Sequence, residues 1–171
     1  MNPKLNFLVV VLLLSFCTAF SQETLKVGHV NIPELVQQMP ETDSIQAVLN
    51  KEAKEMEAMY SEMLGEHEKN VQKFENESSS YSEFVRKTKE AELMESAGKI
   101  QQFHQNATQQ LQKRNVELLQ PVYQKINEAI SQVAGRDNFT YILDLGNGAV
   151  VFHAEHSQDL NPLVLAEIKK Q

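Results

Sequence analysis

One long polar run, from about residue 42 to about residue 134, constrains the fold of this chain more than any other feature. It is rich in Glu, Lys, Gln, Ala, Leu and Met, which are strong helix formers. Between Leu64 and Gly135 the only glycines and proline are Gly65, Gly98 and Pro121. Apolar residues recur three and four positions apart, which predicts amphipathic helix with a narrow apolar stripe.

The stripe breaks at Glu75–Ser82, where Asn and several serines replace the helix formers. These residues favour caps and turns, so the run is predicted to fold as two antiparallel helices. The first helix runs from about Thr42 to the mid-seventies, and the second runs from about Glu83 to Ala134 with Gly135 as its C-cap. Helices of about 35 and about 50 residues are roughly 50 and 75 Å long. So thin a hairpin cannot bury its own stripe and needs a body, further copies or a client.

Strand patterns flank this run on both sides. Residues 25–30 predict a strand, and Pro33 fits the first turn of a short helix that follows. Residues 139–145 have a period of two, with Phe139, Tyr141, Leu143 and Leu145 at alternate positions. The glycine turn at 146–148, followed by residues 149–154, then predicts a β-hairpin. Pro162 fits the first turn of a last helix. The predicted fold class is α+β, mainly α, with a long helical hairpin (the arm, 45–131) inserted into a small β-sheet body (22–44 and 132–171).

Residues 1–21 are predicted to be a secretory signal peptide rather than part of the fold. Lys4 precedes an almost wholly apolar stretch, and Ala19-Phe20-Ser21 suits cleavage before Gln22. Lipidation of Cys17 is the alternative, but Phe16 stands before it where a small residue is needed. Cleavage leaves one domain, 22–171, which contains no cysteine and therefore no disulfide.

Charge and motifs exclude several functions. The net charge of −7 and the absence of a basic stripe argue against nucleic-acid binding. The Gly146–Gly148 turn is not a phosphate loop, and no Ser–His–Asp or Cys–His set can be assembled, so neither an enzyme nor a cofactor is predicted. His153, Glu155, His156 and Asp159 lie close in sequence. A loop gives them no fixed geometry and no third ligand is evident, so no metal site is predicted.

Four stretches carry a family resemblance: residues 26–31, 119–130, 139–144 and 160–170. With their order of strand, short helix, long hairpin, strands and helix, the chain resembles the periplasmic Skp/OmpH chaperones of Gram-negative bacteria. The resemblance implies a homotrimer in the periplasm, with a central body of sheets and three arms around a cavity. It implies that unfolded outer-membrane β-barrel proteins are held there without ATP. The trimer body would include Val27, Val30, Phe139, Tyr141, Leu143 and Val151.

The charge of this chain departs from that family, whose best-known members are strongly basic. Around the presumed tip, residues 66–92 contain five basic and seven acidic residues. Attraction to anionic headgroups needs an excess of Lys and Arg. Binding of lipopolysaccharide or phospholipid is therefore not expected here.

Methionine and aromatic residues on the arm are the candidates for client binding. Flexible Met and aromatic side chains suit a surface that accepts many unrelated clients. The alternative is that they form the seam between the two helices, which we favour for most of them, while the tip aromatics are expected to be free. The candidates are Met56, Met59, Met63, Phe74, Tyr81, Phe84 and Met94. Separately, Asp43-Ser44-Ile45 resembles an O-glycosylation acceptor, a possibility that stays open.

The sequence thus predicts an ATP-independent periplasmic holdase that binds unfolded outer-membrane proteins and prevents their aggregation. The alternative is a coiled-coil adaptor or spacer that binds one folded partner with the same stripe. A spacer would keep a strict heptad, whereas the spacing here drifts between three and four.

Overall fold

The computed structural model describes residues 25–170, so the predicted signal peptide and Cys17 lie outside the described residues. Two long helices dominate, and a small sheet and two short helices stand at one end. The elements in chain order are β1 Val27–Val30, α1 Ile32–Gln37, α2 Pro40–Glu77, a 3-10 turn Ser78–Ser80, α3 Glu83–Asp137, β2 Tyr141–Asp144, β3 Gln158–Asp159 and α4 Asn161–Ile168.

The long helices confirm the predicted helical hairpin and its turn. Helix α2 has 38 residues and α3 has 55, which correspond to about 57 and about 80 Å. Ser82 caps α3 by accepting a hydrogen bond from the Val85 N–H. The predicted C-cap at Gly135 is wrong, because α3 continues to Asp137 and ends at Asn138. Asn138 takes the left-handed conformation (φ 54°), which Asn tolerates better than most residues.

The sheet differs from the prediction. Its strand order is β2-β1-β3, and β2 and β3 both run parallel to β1. The predicted β-hairpin is wrong: residues 149–154, including Val151, form no strand. Parallel neighbours need long crossovers. The whole helical hairpin joins β1 to β2, and residues 145–157 form the loop from β2 to β3.

The hydrophobic core lies where one face of the sheet meets α1, α4 and the end of α3. Its buried members are Val30, Leu35, Val36, Met39, Val122, Ile126, Ala129, Val133, Leu160 and Val164. Gly28 lies against Leu160. Because these residues come from both ends of the chain, closing the core brings the two ends of the helical hairpin together.

Polar side chains fasten β1 and α1 to the C-terminal segments. The buried Asn161 accepts a hydrogen bond from the Asn31 N–H (3.0 Å) and donates one to Glu34 (3.2 Å). Asp144 accepts from the N–H groups of Ile32 (3.2 Å) and Gly146 (2.8 Å). These bonds satisfy backbone donors that the short strands leave unpaired.

Candidate functional site: the helical arm and the open face of the sheet

The distal parts of α2 and α3 are poorly covered in a single chain. Helix α2 has no buried residue along its whole length. In α3 the buried residues are Ile100 and four members of the core cluster near the C-terminal end. A helix pair packed on one side only leaves its apolar stripe half open to solvent. The arm therefore offers apolar surface along most of its length.

The three candidate methionines do not share one environment. Met56 and Met63 are half-buried and line the seam, Met56 beside Phe103 and Met63 beside Ile100. Met59 is 56% exposed and therefore faces away from the seam. The structure thus divides this cluster between seam packing and free surface.

The tip contains both packed and free aromatic residues. The Phe74 and Tyr81 rings are 6.4 Å apart and close the hairpin against each other. The Tyr81 hydroxyl donates a hydrogen bond to Glu77, and this bond raises the pKa of Tyr81. By contrast, Phe84 is 81% exposed and Met94 is 77% exposed. Phe84 and Met94 are therefore the candidate residues most available to another molecule.

A groove in the middle of the seam is lined by aromatic and imidazole rings. Its lining includes Tyr60, His67, Ile100 and His104. His67 Nδ1 is 2.5 Å from Ser96 Oγ across the seam, and the rings of Tyr60 and His104 are 5.2 Å apart. Tyr60 and His67 both belong to the apolar stripe read from the sequence, seven residues apart. Their partners across the seam, His104 and Ser96, could not be identified from that period.

In the part of the chain that the structure describes, ion pairs join the two long helices only in the half of the hairpin nearer the body. Among residues 25–170, Arg114–Glu52 (3.2 Å) and Lys125–Glu41 are the pairs that connect α3 to α2. The hydrogen bond from Lys125 is the main cause that lowers the pKa of Glu41. The other ion pairs on the arm lie within one helix and are exposed, so they contribute little to the stability of the folded state. The distal arm is held mainly by its narrow apolar seam.

One face of the sheet is open to solvent. Val27 is paired in register with Tyr141, and His29 is paired with Leu143, so these four side chains share a face. Gly28 and Val30 on the opposite face are buried against the core. The exposed fractions are 40% for Val27, 58% for Tyr141 and 41% for Leu143. Three neighbouring exposed apolar side chains make this face a candidate interaction surface.

The predicted trimer-body residues are divided by this arrangement. Val27, Tyr141 and Leu143 lie on the open face, and Val151 is exposed on the loop next to Phe152. Val30 is 1% exposed and belongs to the core of its own chain. Phe139 is partly buried against that core, with Lys26 Nζ 4.1 Å from its ring centroid. Val30 and Phe139 therefore pack in or against the core of their own chain and are not part of the open face.

Neither a cluster of potential metal ligands nor a membrane-spanning helix is found among residues 25–170. No group of three or more His, Cys, Asp or Glu side chains there is placed to bind a metal ion. No helix in that part of the chain is both long enough and apolar enough to cross a membrane.

Comparison with known proteins gives concordant matches over nearly the whole described chain. The family model "Outer membrane protein (OmpH-like)" matches residues 26–168. The chaperone protein Skp of Yersinia enterocolitica is 24% identical over 161 residues, which cover 91% of this chain and 93% of that protein. Skp of Photorhabdus laumondii is 25% identical over 148 residues, covering 84% and 86%.

A solved structure shows the same fold. It is the crystal structure of an OmpH-like outer membrane chaperone from Caulobacter crescentus, with a TM-score of 0.67 and 18% sequence identity. The match covers 84% of this chain and 83% of that one. A small body that carries a long helical hairpin is therefore an architecture that this chain shares with that protein.

Proposed function

This chain belongs to the OmpH-like family of outer membrane proteins, a family of non-enzymatic chaperones, and from that membership we propose that it is an ATP-independent holdase. It acts in the periplasm, to which the predicted signal peptide directs it. Its clients are unfolded outer-membrane β-barrel proteins, which expose alternating apolar residues before they insert.

The half-open arm is the observation that carries this proposal. An unfolded client presents apolar groups in no fixed arrangement, so a chaperone surface must accept many arrangements. Exposed Met59, Phe84 and Met94 have flexible or large apolar side chains spread along the arm. Full burial of one such side chain contributes about 1.5–3 kcal/mol, so several partial contacts retain a client while each contact remains reversible.

The open face of the sheet supports self-association. Exposed Val27, Tyr141 and Leu143 form an apolar surface that a second copy of the chain would cover. The proposed number of copies is three, which is what the resemblance to the Skp/OmpH family implies. Three arms fixed to one body would enclose a client between them. If the arm spans residues 45–131, as proposed, all seven candidate residues for client binding lie on the arms.

The acidic character of the chain fits reversible holding better than attachment to a membrane. The net charge is −7, and the exposed pairs on the arm leave its surface mixed in sign. Charged surface around the apolar contacts keeps the chaperone and its complex soluble. Anionic headgroups of lipopolysaccharide or phospholipid are not proposed as ligands, because they would be repelled.

The test dilutes a urea-unfolded outer-membrane porin into buffer with and without the protein, in the absence of nucleotide, and follows light scattering. The proposal predicts suppressed scattering that saturates at a few chains per porin. The double variant Phe84→Ser/Met94→Ser should suppress scattering less well with an unchanged melting temperature, because both residues are exposed in the folded chain. Unchanged scattering in the presence of the folded protein would contradict the holdase and favour the adaptor that binds one folded partner.

A further inference from the structure

Two histidines that lie far apart in the sequence meet at the edge of the open sheet face. His29 stands in β1, and His153 stands in the loop from β2 to β3. Their ring centroids are 5.1 Å apart with an angle of 36° between the planes. Ser157 Oγ lies 3.2 Å from His29 Nδ1 and 3.3 Å from His153 Nδ1. Two imidazole nitrogens from separate segments thus converge on one point.

Ser157 can hydrogen-bond to both rings only when they carry different tautomers. Its hydroxyl donates to the Nδ1 of one ring and accepts a hydrogen bond from the protonated Nδ1 of the other. His153 is exposed, and water could satisfy it without His29. The arrangement therefore does not follow from a need to satisfy buried polar groups.

The spacing matches that of two histidines bound to one metal ion. A Zn–N bond is about 2.0–2.1 Å, and tetrahedral coordination then places the centroids of two imidazole ligands about 5 Å apart. An ion bound by both rings would lie closer to them than Ser157 Oγ does, because a Zn–N bond is about 1 Å shorter than either hydrogen-bond distance to that oxygen. The serine side chain can rotate away, because it is not a core residue.

We propose that His29 and His153 form a chelating site for a divalent transition-metal ion of the Zn²⁺, Ni²⁺ and Cu²⁺ class, which imidazole ligands favour. Water completes the coordination, since no third His, Cys, Asp or Glu ligand is in place among residues 25–170. Asp159 is the register partner of His29 in β3 and adds negative charge beside the ion. Sequence proximity had grouped His153 with His156, whereas the structure brings His153 to His29.

An ion at this site would fasten the loop to the sheet. The loop carries Val151 and Phe152, which are 98% and 82% exposed. Between β2 and β3 it has few backbone bonds of its own, among them Ser157 N–H to Ala154 O at 2.9 Å. Coordination of His153 would therefore restrict the segment that presents these two apolar side chains next to the open face.

The test is calorimetric titration of the untagged protein with Zn²⁺ near neutral pH. The proposal predicts one ion per chain and a loss of affinity of at least about tenfold in His29→Gln and in His153→Gln. The double variant should bind Zn²⁺ about as weakly as the weaker of the two single variants, because either substitution already removes one of the two ligands. His156→Gln and Ser157→Ala are the controls and should bind Zn²⁺ within about threefold of the unchanged protein, since neither supplies a ligand.

A second measurement separates the chelate from scattered binding by single histidines. Hydrogen exchange of residues 151–157 should slow when Zn²⁺ is added to the unchanged protein and should not slow for His29→Gln, whose loop sequence is intact. Circular dichroism checks that each variant is folded. Equal Zn²⁺ affinity in His29→Gln and His156→Gln would overturn the proposal. So would a rate of hydrogen exchange in residues 151–157 that is unchanged when Zn²⁺ is added to the unchanged protein.

Discussion

Gly28 shows how one absent side chain allows the sheet to close on the last helix. A Cβ atom built at this position would lie 2.5 Å from Leu160 Cδ1 and 3.1 Å from Phe139 Cε1. Leu160 is fully buried, so it has little room to move aside. Glycine at 28 therefore allows β1 to approach the core closely, whereas the glycine in α3 at position 135 meets no atom within 4 Å.

These two glycines make a matched pair for mutation. Gly28→Ala should lower the free energy of unfolding by about 1–3 kcal/mol, because it overpacks a closed core. Gly135→Ala should raise it by up to about 1 kcal/mol, because alanine favours the helix and meets no obstacle. Urea unfolding followed by circular dichroism measures both changes. Equal effects of the two substitutions would contradict the packing described around Leu160.

At the scale of single elements, the Glu41–Lys125 pair ties the first turn of α2 to α3. The pKa of Glu41 is lowered chiefly by the hydrogen bond from Lys125. A carboxyl group whose pKa is lowered by folding stabilises the folded state at pH values above its ordinary pKa of 4.5. This stabilisation is lost as the pH falls through the lowered pKa that Glu41 has in the folded state.

Glu41→Gln should therefore melt at a lower temperature than the unchanged protein at neutral pH, by a small margin because the pair is partly exposed. The difference should shrink as the pH is lowered below 4.5. Melting temperatures across this range measure it. Asp43→Asn, an exposed change in the same turn of α2, is the control, and a difference for Glu41→Gln that grows in acid would contradict the assigned direction.

Elements whose pattern is local could be predicted from the sequence, and elements that depend on distant partners could not. Helices α2 and α3 follow from an apolar period that is complete within each segment. Residues 149–154 have strand-forming composition, but a strand also needs a partner with free hydrogen-bonding groups. Both β2 and β3 pair with β1 instead. No local pattern reveals a parallel sheet built from both ends of the chain.

The candidate site shows the same division. The sequence predicted that the tip aromatics are free because the tip has least to pack against. Phe84 is exposed, whereas Phe74 and Tyr81 pack against each other. The sequence could not pair His29 with His153, since 124 residues separate them and only the closed sheet brings them together. The exposure of Tyr141 and Leu143 follows from β2 lying with one face on the core, which depends equally on the tertiary fold.

At the scale of the whole molecule, the open sheet face is expected to hold the copies of the chain together. Leu143→Asp should leave each chain folded, because Leu143 is 41% exposed there, and should disrupt assembly, which would bury the new charge. Leu163→Asp is the matched control, since Leu163 is similarly exposed (38%) but lies on α4. Sedimentation equilibrium should give the mass of one chain for the first variant and of the assembly for the second. An intact assembly of Leu143→Asp would contradict this placement of the interface.

The most direct test of the central claim asks which part of the molecule touches an unfolded client. A photo-activated cross-linker is placed at Met94 on the arm or, in a second variant, at Leu163 in the body, and each is mixed with a urea-unfolded porin without nucleotide. Met94 is 77% exposed and Leu163 is 38% exposed in the folded chain, so a client can reach either position. The holdase proposal predicts porin adducts from position 94 and few from position 163. Adducts from position 163 alone would contradict it, because the client would then be bound by the body and not by the arm.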